Sequence, residues 1–143
     1  MNWRSGAVTG KYVLVDTSAW ILALKKSPPV RARSVIDDLL AGGRIAIIPV
    51  IRIELLGGTK SQLEFQRLDR RLSALHQLPL SKSEWDESAR LAFKLRRKGM
   101  TVPYIDIIIA AVAILHGMPL VHADKHFDLI AGEVTLKAEN LLA

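Results

Sequence analysis

The sequence predicts an α/β fold, a mostly parallel sheet with helices on both faces. Short β-branched apolar runs alternate with longer stretches of helical period, the pattern of strand–helix–strand units. The 143 residues, half of them hydrophobic, are enough for one domain with a real core. Four carboxylates, Asp16, Glu54, Asp106 and Asp124, stand where those runs end or where helices begin.

The elements follow in order. Lys11 to Val15 reads as a buried strand, followed by Asp16, Thr17 and Ser18, all good N-cap residues, and a helix through Leu24 that Ser27-Pro28-Pro29 stops. Val30 to Ala41 is a second helix, closed by Gly42-Gly43. Arg44 to Ile48 is a second strand, and Pro49 opens a helix through Leu56 with Gly57-Gly58 as its stop. Lys60 to His76 spaces Leu63, Phe65, Leu68, Leu72 and Leu75 as a helix with a basic outer face. A short strand is expected at Gln77 to Leu80. Ser81 and Glu84 then form a capping-box pattern before a helix that runs to Lys98 and ends at Gly99. Pro103 opens the most apolar helix, which ends at Gly117 and is expected at the centre of the molecule. Met118 to Val121 reads as a third core strand and Val134 to Leu136 as the last.

Composition excludes several classes. There is no cysteine, so disulfides, zinc–thiolate sites and Cys nucleophiles are ruled out, and a reducing cytoplasm suits the chain. The longest apolar run, Ile107 to Leu115, is far short of the roughly 20 residues that span a bilayer, so no membrane segment is expected. Residues 1–10 are polar, lack the apolar stretch of a signal peptide, and read as a flexible N-terminal extension ahead of a single domain over residues 11–143. Net charge is +6, but residues 1–99 carry 18 basic and 9 acidic side chains whereas residues 100–143 carry 2 and 5. A basic surface with an acidic pocket suits a polyanion drawn to a metal site.

Each of the four acids sits in an apolar or small-residue stretch, where a carboxylate is costly unless something positive meets it. No Lys or Arg adjoins Asp16 or Asp106. Sites in open α/β sheets form beyond the carboxyl ends of the strands, so four acids from four segments can converge there. A divalent cation would neutralise them. Such ions activate water, orient a phosphate and stabilise a leaving oxygen in phosphodiester cleavage. Carboxylate ligands suit Mg²⁺, no Cys-x-x-Cys favours zinc, and no Gly-rich phosphate loop is present.

Four stretches now carry a resemblance: Leu14-Val15-Asp16-Thr17-Ser18-Ala19, Pro49-Val50-Ile51-Arg52-Ile53-Glu54-Leu55, Asp106-Ile107-Ile108-Ile109-Ala110-Ala111 and Leu120-Val121-His122-Ala123-Asp124-Lys125-His126-Phe127. In order and spacing the chain resembles the PIN-domain ribonucleases, and within them the VapC-like toxins of prokaryotic toxin–antitoxin pairs. The resemblance covers the chain from about Tyr12 onward. It implies a three-layer α/β/α sandwich, Mg²⁺- or Mn²⁺-dependent cleavage of RNA, a homodimer, and inhibition by a cognate antitoxin. By matching position it makes Asp16, Glu54, Asp106 and Asp124 the catalytic and metal-site residues, with Thr17 or Ser18 orienting Asp16 or a bound water. The chain departs from the pattern at His122, where Thr is frequent, and at His126, where a second Asp is frequent.

Each feature also has a local explanation. Asp16 can be only an N-cap, Asp106 a first-turn residue that suits the helix dipole, and Asp124 a turn residue; Glu54 caps nothing. His116 and His122 read as structural histidines. Trp20 and Trp85 read as core or dimer contacts. Arg96, Arg97 and Lys98 form a solvated helix end or a phosphate-binding patch leading to Asp106, with Arg67, Arg70 and Arg71 as the alternative. The competing functions are a non-catalytic RNA-binding module on the same fold and a phosphohydrolase of another doubly wound family. The first has no need of all four acids. The second wants a further acid close to Asp16, and the sequence has none there.

Overall fold

The structure, a computed structural model, describes residues 11–142; the expected N-terminal extension lies outside them. β1 (Val13–Val15) is fully enclosed, with all three side chains at 0% exposure, as its unbroken apolar sequence requires. Asp16 ends it and caps α1 (Thr17–Ala23). α2 (Val30–Ala41) buries Ala32, Val35, Ile36 and Leu39 on one face. β2 (Ile45–Ile47) leads through Ile48 into α3 (Pro49–Gly57), where Pro49 costs no hydrogen bond because a first-turn N–H has no helical partner. α4 (Gln62–Ser73) buries only Leu72, and the Arg52–Asp69 ion pair ties it to α3. The two-residue β3 (His76–Gln77) follows, then α5 (Lys82–Arg97) and α6 (Tyr104–His116). Gly117, at φ 63°, closes α6 in the left-handed conformation that glycine adopts without steric cost. β4 (Leu120–His122), α7 (Lys125–Ala131) and β5 (Ala138–Asn140) complete the fold.

The five strands are parallel, in the order β3-β2-β1-β4-β5. With helices packed on it, the sheet makes a three-layer α/β/α sandwich, the expected class. One helical group joins α1 to α2 and α3, and another joins α6 to α5 and α7. The chain moves outward from β1 through β2 to β3, then returns to place β4 on the other side of β1. The strand order therefore reverses between β1 and β4, the place where open α/β sheets form their clefts.

Several expected boundaries shift. The last strand is not Val134 to Leu136 but Ala138–Asn140, paired Leu120↔Ala138, Val121↔Glu139 and His122↔Asn140. Leu136 is buried without being part of the ladder. At a sheet edge, main-chain alignment with β4 decides the pairing, and apolar content does not. β3 lies at His76–Gln77, ahead of the expected Gln77 to Leu80, and α7 was not anticipated. Trp20 is in the core, whereas Trp85 is 48% exposed. α6 buries Ile107, Ile109, Ala110 and Val112 but leaves Ile105 and Leu115 exposed, so it is central on most of its faces rather than all.

The capping box also moves. The Ser81 side chain makes no cap bond to the α5 backbone; its hydroxyl donates to the Glu84 carboxylate at 2.7 Å. A reciprocal arrangement occurs instead at α4, where Ser61 Oγ accepts from Glu64 N at 3.1 Å and Glu64 Oε2 accepts from Lys60 N at 2.8 Å.

Candidate active site

The site is built from strand ends and first turns. Asp16 leaves β1 in an extended conformation (φ −67°, ψ 155°) and its Oδ2 accepts from Ser18 N at 2.9 Å and from the Ser18 hydroxyl. Ser18 Oγ in turn accepts from Ala123 N at 2.9 Å, just beyond β4. One hydroxyl thus joins the ends of the two central strands. Thr17, expected beside Asp16 or a water, instead donates its hydroxyl to Glu54 Oε1 at 2.8 Å. That bond aims Glu54, on the exposed side of α3, toward the end of β1.

Asp106 lies in the first turn of α6, its side chain 16% exposed, where the unpaired N–H groups of the helix start favour a negative charge. Asp124 caps α7 by accepting from His126 N at 2.9 Å. The surprise is His126. Its Nδ1 lies 2.9 Å from Asp106 Oδ2 and 3.3 Å from Asp124 Oδ1. One ligand atom from each of Asp106, Asp124 and His126 falls within 4.8 Å of the others. From the sequence His126 registers only as a missing acid. The signal available was its spacing: two residues after a helix-capping Asp, a side chain in the first turn returns toward that cap.

The electrostatics link all four acids. Burial pushes the Asp16 carboxyl up to about 6; the charges of Asp106 and Glu54 add to this and the Ser18 hydrogen bonds oppose it. The Asp106 carboxyl is also raised, first by burial and further by Asp124 and Glu54, against the hydrogen bond and charge of His126. Among the described residues no Lys or Arg forms an ion pair with any of the four, and His126 is the basic side chain that meets them. The negative charge is therefore concentrated and met by a single imidazole, and the donors are mostly hard carboxylate oxygens. This set fits Mg²⁺ or Mn²⁺.

His122 sits beneath the cluster at 0% exposure. Its Nδ1 accepts from Asp124 N at 3.2 Å, which puts the ring proton on Nε2, and burial lowers its basicity. It is a neutral ring that shapes the β4–α7 turn. Of the basic patch, Lys98 pairs with Glu133 at 2.9 Å, Arg97 lies over the Phe93 ring and Arg96 donates to the Tyr104 hydroxyl at 3.2 Å. Tyr104 begins the turn that carries Asp106, two residues further on. On the other side, a groove of about 850 Å³ lined by Lys25, Glu54, Lys60, Arg67 and Arg71 adjoins an apolar pocket of about 500 Å³ that reaches Trp20 and Leu72. The two share Leu24, Leu55, Leu68 and Arg71.

Known proteins resemble this chain over nearly all of its length. The VapC ribonuclease Mb1587 of Mycobacterium bovis is 34% identical over 131 residues, covering 88% of this chain and 96% of that one. Among solved structures, VapBC2 from Rickettsia felis, crystallised with a DNA fragment from its promoter, superposes with a TM-score of 0.75 at 26% identity, over 90% of this chain and 98% of that one. VapBC-5 of Mycobacterium tuberculosis, a member of the VapBC family of toxin–antitoxin systems, shares the fold with a TM-score of 0.63 at 21% identity, over 92% and 99%. The PIN domain family matches residues 13–133, a span that holds all four acids and His126. On these grounds the chain belongs to the PIN-domain family.

Proposed function

We propose that the protein is a divalent-metal-dependent endoribonuclease, the toxin of a toxin–antitoxin pair, hydrolysing RNA phosphodiester bonds with Mg²⁺ or Mn²⁺. The observation that carries this is that Asp106 and Asp124 bring ligand oxygens within 4.8 Å of each other while the charges of Asp106 and Glu54 act on Asp16, with no Lys or Arg ion-paired to the four acids among the described residues. The name of a relative 34% identical to the chain, a ribonuclease, points the same way. Asp16, Glu54, Asp106 and Asp124 would hold the ion. When bound, it would supply an activated water and neutralise charge on the phosphate. Ser18 fixes the Asp16 carboxylate and Thr17 fixes that of Glu54. Arg96 and Arg97 would meet backbone phosphates on the way to Asp106; Lys98, already paired, contributes less.

The partner reading rests on the groove. Glu54 is the one of the four acids that lines it, and its apolar end reaches Trp20. An antitoxin helix could bury an apolar face there and carry an Arg into the carboxylates, pairing bidentately where the metal would bind. A homodimer would cover exposed side chains such as Trp85 and Phe93 on α5. No helix among the described residues is long and apolar enough to cross a membrane, and we place the protein in the cytoplasm.

The test is cleavage of a defined RNA with Mg²⁺ or Mn²⁺, with and without EDTA, by the wild type and by Asp106→Asn. Metal-dependent cutting lost in the variant is the expected result; cutting by Asp106→Asn at the wild-type rate would overturn the site.

A further inference from the structure

His126 is the one strongly placed side chain that the acid cluster alone does not explain. It is half-buried, and its orientation is set twice, by its backbone N–H on Asp124 Oδ1 at 2.9 Å and by its ring 2.9 Å from Asp106 Oδ2. Its Nδ1 is also 3.3 Å from Asp124 Oδ1. These separations have a meaning in coordination geometry. Ligands on adjacent corners of an octahedron, with bonds of about 2.1 Å, lie about 3.0 Å apart. The His126 nitrogen already stands near that spacing from each carboxylate oxygen, and the three ligand atoms lie within 4.8 Å of one another, so little movement would let them share one cation.

From this we propose that His126 Nδ1 is a direct metal ligand beside Asp106 and Asp124, and that it makes this site select Mn²⁺ over Mg²⁺. The proposal rests on the metal-site reading above and adds the choice of ion. A neutral imidazole nitrogen is a softer donor than carboxylate oxygen and suits transition ions, whereas Mg²⁺ keeps oxygen ligands and gives up its water reluctantly. Ligation uses the Nδ1 lone pair, so the ring proton resides on Nε2, for which no protein hydrogen bond competes among the described residues. The ring also replaces a charged donor by a neutral one. That lowers the charge that draws Mg²⁺ into the site while retaining a ligand that Mn²⁺ accepts well.

The test uses the full chain and compares the wild type with His126→Asp and His126→Ala. Calorimetric titrations give the dissociation constants for Mg²⁺ and Mn²⁺, and pulsed electron paramagnetic resonance reads nitrogen coupling on bound Mn²⁺. We expect nitrogen coupling in the wild type and none in either variant. The preference for Mn²⁺ should fall by at least about tenfold in His126→Asp, the scale on which even an outer partner of a metal ligand changes affinity. Wild-type protein that binds Mn²⁺ without nitrogen coupling refutes the ligand and leaves the acidic metal site intact. Nitrogen coupling that persists in both variants also refutes it. Wild-type protein that binds neither ion overturns the metal-site reading itself.

Discussion

Asp16 concentrates the cost of the site in one side chain. It is 4% exposed, and its carboxyl is raised from 3.8 to about 6, chiefly by burial. A carboxyl raised in the folded state contributes stability that is full below its unfolded value and is lost as pH rises through the folded one. Without metal, then, Asp16 favours the fold below pH 3.8 and opposes it above about 6. Asp16→Asn keeps a cap acceptor while removing the charge. In metal-free protein it should be more stable than the wild type at pH 7 by on the order of 2 kcal/mol, with the gap closing by pH 4. Urea melts at the two pH values check this, and an equal gap at both would mean that the Asp16 charge is not the source. Added Mn²⁺ should stabilise the wild type and not the variant.

Elements meet through single polar links whose loss should be measurable. Ser18 donates to Asp16 and accepts from Ala123 N, so it connects the start of α1 to the end of β4. Ser18→Ala should cost about 1 kcal/mol in denaturant and weaken metal binding, because both the strand end and the Asp16 carboxylate lose a restraint. Where α5 begins against the end of α6, Glu84 is 5% exposed, and the hydroxyls of Ser83 and Ser81 hold its carboxyl down to about 2. A depressed carboxyl contributes stability above its unfolded value of 4.5 that is lost as pH falls through about 2. Glu84→Gln should therefore be less stable than the wild type at pH 6, with the difference shrinking at pH 3. A difference independent of pH would reduce Glu84 to a matter of shape.

At the scale of the whole molecule, net charge is +6, and the surface carries basic side chains such as Arg67, Arg96 and Arg97. RNA must cross that surface to reach the acids. Each phosphate contact on a single strand contributes roughly 0.7 to the slope of log affinity against log salt. In an inactive Asp16→Asn background, replacing Arg96 and Arg97 by Ala should flatten that slope by up to about 1.4, similarly for different sequences. Lys98→Ala should leave it nearly unchanged, since Lys98 already pairs with Glu133. Equal slopes in all three proteins would take this helix end out of the RNA path and turn attention to Arg67 and Arg71 in the groove.

Much of this protein was legible in the chain because periodicity and punctuation are local properties. The runs around Leu14, Ala46 and Val121 are central strands because unbroken apolar stretches can only be buried on both faces, and Pro49, Pro103 and Gly117 mark helix ends through their own backbone restrictions. The four acids stood out for the same reason, as charges in places where local structure makes charge costly. What only the tertiary structure decided is non-local. β5 falls on Ala138–Asn140 because β4 sets its register, not because its side chains are apolar. Thr17 holds Glu54, 37 residues away, and Ser18 ties Asp16 to Ala123. His126, which from the chain registers only as an acid missing from a pattern, becomes the hydrogen-bond partner of Asp106 because the first turns of α6 and α7 meet at the end of the sheet. Sequence spacing constrains which face a side chain occupies, whereas the packing of one element on another decides what it meets there.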